Sequence, residues 1–251
     1  HAPARAPVSR DTRPARAWGP RPRGQTHTSR AHARPAAGHH APAMRREHKF
    51  YIDTHKGANA FAILGLIAAY DAWHNETAWI YLALHGTYGL LWVLKSRFFG
   101  DRNWEREVDL PMGLFTWLAL TAYWVGPWVI VRDDLHAAPW LLALCVAMWG
   151  LGVFLHFAAD MQKHTHMKLA PGTLLTDGLW SRCRNPNYLG ELLIYFSFCL
   201  LSRHWAPLAV LLAMVAGVWL PNMLRKDRSL ARYPEFAAWK ARSSLFVPGL
   251  F

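Results

Sequence analysis

The sequence has few cysteines and few acidic residues, and both shortages exclude classes of protein. Three of its 251 residues are cysteine, an odd number, and Cys145 and Cys199 lie in apolar runs. This excludes a disulfide-stapled scaffold. Acidic residues number 16 against 28 Lys and Arg, which gives a formal net charge of +12. Such a charge suggests a soluble nucleic-acid-binding protein, but its distribution along the chain excludes that class.

The first 43 residues lack large apolar side chains almost completely. They contain no Ile, Leu, Phe, Tyr or Met and one acid, Asp11, but eight Arg, seven Pro and eleven Ala. A segment with so little to bury is predicted to be disordered, and it lacks the apolar stretch of a secretory signal. Met44 is the first methionine, so we expect 1–43 to be a leader outside the folded domain 44–251. A basic membrane-surface arm and a transit-type leader are the alternatives.

The rest of the chain consists mainly of apolar stretches long enough to cross a membrane. Six of them predict an all-α, polytopic membrane helical bundle. They cover residues 57–73, 77–94, 110–131, 138–159, 186–202 and 205–224. The alternative, a soluble bundle of buried helices, would need more polar surface than 208 residues with six such stretches provide.

Basic residues alternate between the two ends of these stretches. From residue 45 onward, the successive flanking and connecting segments hold 4, 0, 4, 1, 4, 1 and 6 Lys or Arg. This alternation is typical of an even number of spans with both termini in the cytoplasm. It predicts an integral, multi-pass protein of a bacterial inner membrane, surrounded by membrane lipid, with any cofactor site open to the cytoplasm.

Placing a polar residue inside a membrane span costs free energy, so such residues indicate functional sites. The second span carries a series at steps of four, three, four and three, which places its members on one helical face. They are Tyr81, His85, Tyr88, Trp92 and Lys95. The alternative is a hydrogen-bonded seam between helices, helped by the small residues Gly86 and Gly89.

The cytoplasmic ends of the later spans offer cations around polar and acidic groups. The fifth span follows Asn185, which we expect to cap it, and Pro186 in its first turn. Turn dipeptides at 171–172 and 177–178 would fold the preceding loop back over the membrane face. The resulting cup suits a multiply anionic ligand, although ordinary positive-inside charge explains the same pattern. Its residues are Asp160, Lys163, Arg182, Arg184, Asn187, Glu191, Lys226 and Arg228.

Several of these motifs resemble the steroid 5-alpha-reductase family and its bacterial relatives. Gly178-Leu179-Trp180, followed by Arg184-Asn185-Pro186-Asn187-Tyr188-Leu189-Gly190-Glu191, is similar to that family's signature. The resemblance extends to Asp160-x-Gln162-Lys163 and to the end of the chain, where Arg232-Tyr233-Pro234 precedes Phe246-Val247-Pro248-Gly249. It covers about 155–251 and is weaker over 48–106.

The resemblance implies a helical membrane enzyme that reduces an enone lipid, such as a 3-oxo-4-ene steroid, with NADPH. The cofactor would lie in the cytoplasmic cup, with Tyr188 and Tyr233 added to its residues. Tyr88 matches the family's catalytic tyrosine by position. The acid that accompanies this tyrosine has no match in register, where His55 and Asp53 lie nearest.

The predicted chemistry agrees with these residues. Conjugate reduction requires a hydride and a hydrogen-bond donor at the substrate oxygen. Tyr88, with His85 one turn away and His55 near the mouth, would provide that donor. The alternative is a membrane methyltransferase of the isoprenylcysteine carboxyl methyltransferase type, which uses S-adenosylmethionine. The cationic run Arg225-Lys226-Asp227-Arg228 favours the reductase. The histidines lack metal-ligand spacing, so the sequence predicts neither a metal site nor nucleic-acid binding, and it leaves the oligomeric state open.

Overall fold

The computed structural model describes residues 45–101 and 103–249, and the predicted leader 1–43 lies outside the described residues. These residues are mostly helical, as predicted, with seven helices. The helices are α1 (His48–Ala69), α2 (Glu76–Phe99), α3 (Leu110–Arg132), α4 (Pro139–Leu169), α5 (Pro186–Ser202), α6 (Trp205–Leu230) and α7 (Phe236–Arg242).

Two short strands form a ribbon that the sequence did not predict. One strand precedes α1 and the other precedes α3. Strand β1 (Arg45–Glu47) pairs antiparallel with β2 (Glu107–Asp109). The ribbon is mostly exposed, so its sequence lacks the alternation of apolar and polar residues that would predict a strand. Just beyond the ribbon, Lys49 N in α1 donates a hydrogen bond to Trp104 O at 2.7 Å. The helix therefore begins well before the predicted span at residue 57.

Three helices, α3, α4 and α6, are long and apolar enough to cross a membrane by length and composition. Large apolar side chains on them face outward, among them Leu118, Phe154 and Leu212 at 66%, 60% and 58% exposure. These features fit an integral membrane protein. The other three predicted spans coincide with α1, α2 and α5, which are shorter or carry more polar residues. Six crossings and cytoplasmic termini remain predictions.

Proline interrupts two of the long helices. In α3 the residues Ala122–Trp124 form a 3-10 turn shortly before Pro127, because proline lacks the N–H that would bond four residues back. In α6 the residues Val215–Trp219 form a π-helical segment just before Pro221. Both helices continue past these points.

Glycines bring the helix backbones into contact. A Cβ atom on Gly190 of α5 would lie 2.4 Å from His156 N of α4, and one on Gly152 would lie 2.7 Å from Gly190 O. Similarly, a Cβ on Gly89 of α2 would lie 2.1 Å from Lys56 O of α1. The close packing that the sequence predicted for Gly89 is therefore present, and the helices that carry the polar residues are held at short range.

Candidate functional site

The polar face predicted for α2 is buried between helices. Its members range from fully buried, for Tyr88, to 9% exposed, for Trp92. They meet polar residues of α1, α4 and α5. Together these side chains form what we call the buried polar cluster: Lys56, Tyr88, Lys95, His156, Asp160, Glu191 and Tyr195.

The Tyr88 phenol donates a hydrogen bond to Glu191, with Tyr88 Oη 3.1 Å from Glu191 Oε1. This contact joins α2 to α5 inside the bundle. The acid beside Tyr88 is therefore Glu191, which the sequence assigned to cofactor binding. Of the two residues nearest the expected acid in register, Asp53 instead accepts a bond of 2.7 Å from Ser96 Oγ. Glu191 therefore contacts the tyrosine that the resemblance aligns with the catalytic one.

Lys56 is a residue of the site that the sequence analysis missed. Its side chain is 4% exposed, donates to the Tyr195 hydroxyl, and lies 4.8 Å from the Tyr88 ring centroid and 5.0 Å from that of Trp92. These aromatic faces stabilise the buried ammonium. A signal was available, because the buried α1 residues Ile52, Lys56, Asn59, Ile63 and Ile67 recur at helical spacing.

A second part of the cluster surrounds His156. Its Nδ1 lies 3.0 Å from the carbonyl oxygen of Asn187, which can only accept, so Nδ1 carries the proton. The unprotonated Nε2 then accepts from Lys95 Nζ at 3.2 Å. Lys95 also pairs with the Asp160 carboxylate. Asp160, predicted at the cofactor site, is therefore bound to the predicted polar face of α2.

The two histidines predicted to assist Tyr88 have mainly aromatic neighbours. His55 is 1% exposed and packs against Trp117 and Trp124 of α3, with ring centroids 5.0 and 5.1 Å away. His85 stacks on Phe198 of α5 at 4.6 Å. Both His55 nitrogens are buried without a hydrogen-bond partner among the described residues. His55 thus contacts α3 rather than the Tyr88–Glu191 pair.

Two of the predicted cup cations are bound within the protein. The Arg184 Nε atom lies 3.0 Å from Asp227 Oδ2, and the guanidinium also donates to Ser243 O near the chain's C-terminal end. The ammonium of Lys226 donates to Arg184 O at 2.6 Å and to Asn185 Oδ1 at 2.7 Å. Asn185 precedes α5 as expected, but its side chain makes no cap bond. These residues hold the loop before α5 against the C-terminal segment.

Lys163 is paired as well, with its Nζ 2.7 Å from Asp101 Oδ2. Burial alone would raise the pKa of Asp101. The Lys163 ammonium, acting through its charge and its hydrogen bond, and the N–H of Asn103 instead hold this pKa below its usual 3.8. The pair links the loop after α2 to the end of α4. Lys163 lies in α4, which continues to Leu169, past the predicted span boundary at residue 159.

The remaining predicted cofactor residues lie at the same end of the later helices. Arg182 and Arg228 are exposed, and Tyr233 is half-buried beside Arg232. The Tyr188 ring lies 5.7 Å from that of Trp219. Asn187 Oδ1 is buried and has no hydrogen-bond partner among the described residues.

The loop before α5 folds back as the turn dipeptides predicted. Gly172 and Gly178 both have positive φ angles, 82° and 56°. A Cβ on Gly178 would lie 2.3 Å from Gln162 Nε2. The Trp180 indole donates to Ala159 O at 3.2 Å, so this loop covers the end of α4 beside the cluster.

Comparisons with known proteins show one family. A family model described as "Protein of unknown function (DUF1295)" matches residues 47–244, which is most of the chain. The "Cobalt-zinc-cadmium resistance protein CzcN" of Cupriavidus metallidurans is 29% identical over 144 residues. The match covers 52% of this chain and 66% of that relative, just under two thirds of its length.

Proposed function

The chain belongs to the DUF1295 family, and we propose that it reduces the carbon–carbon double bond of an enone lipid with NADPH. A 3-oxo-4-ene steroid is the first substrate to test. The observation that carries this proposal is the Tyr88–Glu191 hydrogen bond, 3.1 Å long, inside the buried polar cluster. A positioned phenol in a site that excludes water suits a reaction in which negative charge develops on a ketone oxygen.

In the proposed reaction the substrate's β carbon gains a hydride and the electrons of the double bond move onto the ketone oxygen. The α carbon then takes a proton that originates in solvent, which gives the saturated ketone and leaves NADP⁺. NADPH supplies the hydride when it is bound. The Tyr88 hydroxyl would redirect its hydrogen bond from Glu191 to the ketone oxygen. The Lys56 ammonium, 4.8 Å from the Tyr88 ring centroid, would add positive charge near the developing enolate.

The residues at the end of α4 and α5 fit a nicotinamide group in part. The buried Asn187 Oδ1 lacks a partner, and a carboxamide N–H would satisfy it. Arg182 and Arg228 are exposed and suit phosphate oxygens. Arg184 and Lys226 are already hydrogen-bonded to Asp227, Asn185 and main-chain oxygens. In this proposal they hold the shape of the site instead of binding the 2′-phosphate directly.

Ligand protection tests the cofactor. The detergent-purified full chain is heated alone, with NADPH, with NADH and with S-adenosylmethionine. A ligand at about 100 times its Kd stabilises the folded state by about 2.7 kcal/mol, so NADPH should raise the apparent Tm. Protection by S-adenosylmethionine in place of NADPH would favour the methyltransferase alternative. Protection by neither would indicate a non-catalytic protein.

Product analysis tests the reaction. The protein, NADPH and a 3-oxo-4-ene steroid are incubated, and the product is examined by mass spectrometry for the gain of two hydrogens. A long-chain enoyl lipid and an isolated-alkene sterol serve as parallel substrates. Reduction of a conjugated substrate but not of the isolated alkene is expected, because only the former has an oxygen to receive charge. Failure of all conjugated substrates with bound NADPH would contradict the proposed reaction.

A further inference from the structure

Three potential metal ligands meet at the end of α2 opposite Lys95. Glu76 and Lys95 lie 19 residues apart on this helix, or ~30 Å at 1.5 Å per residue. His74 lies in the α1–α2 connection, and Asp134 and His136 lie in the α3–α4 connection. One ligand atom from each lies within 4.8 Å of the others. Because these residues come from two separate connections, their spacing along the sequence does not indicate the site that the sequence was predicted to lack.

The distances around Asp134 match those of a tetrahedral zinc site. Asp134 Oδ1 lies 3.3 Å from His74 Nε2 and 3.3 Å from His136 Nε2. Nitrogen and oxygen ligands lie ~2.0–2.1 Å from Zn²⁺, so two ligands of a tetrahedral site are separated by ~3.3–3.4 Å. The two imidazole rings are 6.2 Å apart between centroids and tilted by 33°. Small side-chain rotations would direct all three atoms at one ion.

A buried asparagine holds the Asp134 carboxylate in position. Asn75 is fully buried, and its Nδ2 donates to Asp134 Oδ1 at 2.8 Å, while its Oδ1 accepts from Ala78 N at the start of α2. Metal-ligating carboxylates commonly have such a supporting hydrogen bond. Asp134 also has a positive φ of 45°, a conformation that costs energy outside glycine and is concentrated at functional positions.

The three side chains remain open to solvent, at 66%, 54% and 53% exposure for His74, Asp134 and His136. An exposed His–Asp contact contributes little stability, so stability alone does not explain the arrangement. We propose that His74, Asp134 and His136 form a binding site for a divalent metal of the zinc class, with water in the fourth position. Two imidazoles and one carboxylate favour Zn²⁺ over Mg²⁺ and Ca²⁺, which prefer all-oxygen sites.

Zinc titration of the purified full chain tests this site. Isothermal titration with ZnCl₂ is compared between the unchanged chain and the variants His74→Ala, His136→Ala and Asp134→Asn. Loss of a ligand should weaken one binding event by ~100-fold or more, beyond the ~10–100-fold typical of losing a supporting hydrogen bond. His166→Ala, at the other end of the bundle, is the matched control and should bind as the unchanged chain does. The five histidines of residues 1–43 stay constant in every variant, so the difference isolates the cluster.

A second measurement separates a metal site from a simple ion pair. Co²⁺ replaces Zn²⁺, and its visible spectrum reports tetrahedral coordination in the unchanged chain and its loss in His136→Ala. Excess Mg²⁺ should leave the signal unchanged. Since the three residues are exposed, circular dichroism should show that the variants keep their helices. Equal Zn²⁺ affinity in all four proteins would overturn the proposal and leave an exposed His–Asp contact. None of these measurements involves NADPH or an enone.

Discussion

Tyr88 and Glu191 are 103 residues apart in the chain, and their side chains are joined by one hydrogen bond of 3.1 Å. The phenol comes from α2 and the carboxylate from α5. Because Tyr88 is fully buried, its proton has few competing acceptors. This pair is the centre of the proposed chemistry.

Removal of the Tyr88 hydroxyl should abolish most of the proposed reductase activity. Tyr88→Phe keeps the ring and deletes the donor, and loss of one such donor typically lowers turnover by ~100-fold or more. NADPH affinity should change little, because the hydroxyl is proposed to act on the substrate. Tyr70→Phe, which deletes an exposed hydroxyl bonded to Trp128, is the control. Turnover near the normal value in Tyr88→Phe would remove Tyr88 from the mechanism.

His55→Ala should lower turnover less than Tyr88→Phe does. His55 packs between two tryptophans of α3, so its loss changes packing and not the proton supply. Parallel assays of turnover and apparent Tm separate the two effects. A loss as large as that of Tyr88→Phe, with unchanged Tm, would make His55 the better candidate for the proton donor.

Asn187→Ala and Glu191→Gln should weaken NADPH binding while the protein still folds. The first removes the unpaired acceptor Oδ1, and the second removes a charge next to Tyr88. Binding is measured as the NADPH-dependent rise in apparent Tm, with the exposed Glu105→Gln as the control for charge. Unchanged NADPH protection in both variants would remove these two residues from the cofactor site.

The Arg184–Asp227 pair should be important for stability. A lysine keeps the positive charge but cannot reproduce the separate contacts of Arg184 with Asp227 and Ser243, and a buried hydrogen-bonding group left without its partner typically costs ~1–3 kcal/mol. Arg184→Lys should therefore lower the apparent Tm clearly. Arg182→Lys, two residues away and exposed, should change it little. Equal shifts in the two variants would show that the pair has no special role.

The Asp101–Lys163 pair predicts a pH-dependent contribution. The pKa of Asp101 is held below its usual 3.8, so the pair stabilises the fold above about that pH and loses its effect as the pH falls through the lower, folded-state value. The side chains are 25% and 33% exposed, which limits the effect to ~1 kcal/mol or less. The Tm difference between the unchanged chain and Asp101→Asn should be present near neutral pH and shrink as the pH falls below 3.8. A gap that persists in acid would contradict this assignment.

Topology is testable by cysteine labelling. In a chain with Cys145, Cys183 and Cys199 replaced by alanine, single cysteines at positions 74 and 240 are labelled in intact cells with an impermeant maleimide. The alternation of basic residues predicts that only position 74 is labelled from outside. Labelling of both from one side would contradict an even number of spans between cytoplasmic termini.

The length of the apolar stretches predicted six of the seven helices, and residue spacing predicted the shared face of α2, but the short α7 has no such apolar stretch. Lys56 was overlooked as one of several cations near a helix end, although its apolar neighbours recur at helical spacing. The Tyr88–Glu191 and Lys95–Asp160 contacts could not be predicted from spacing alone, because each depends on how two helices are rotated. The same limit applies to Arg184, whose partner Asp227 lies 43 residues away.

The backbone contact between Gly152 and Gly190 has a consequence for engineering. Glu191 follows Gly190 directly, and His156 lies one turn after Gly152, so main-chain atoms and not adjustable side chains set the spacing of these two groups. Substitutions that add side-chain atoms along the α4–α5 seam should therefore be tolerated poorly. Tolerated changes should accumulate between α1 and α3, where side chains such as Trp117 and Trp124 make the contacts with His55.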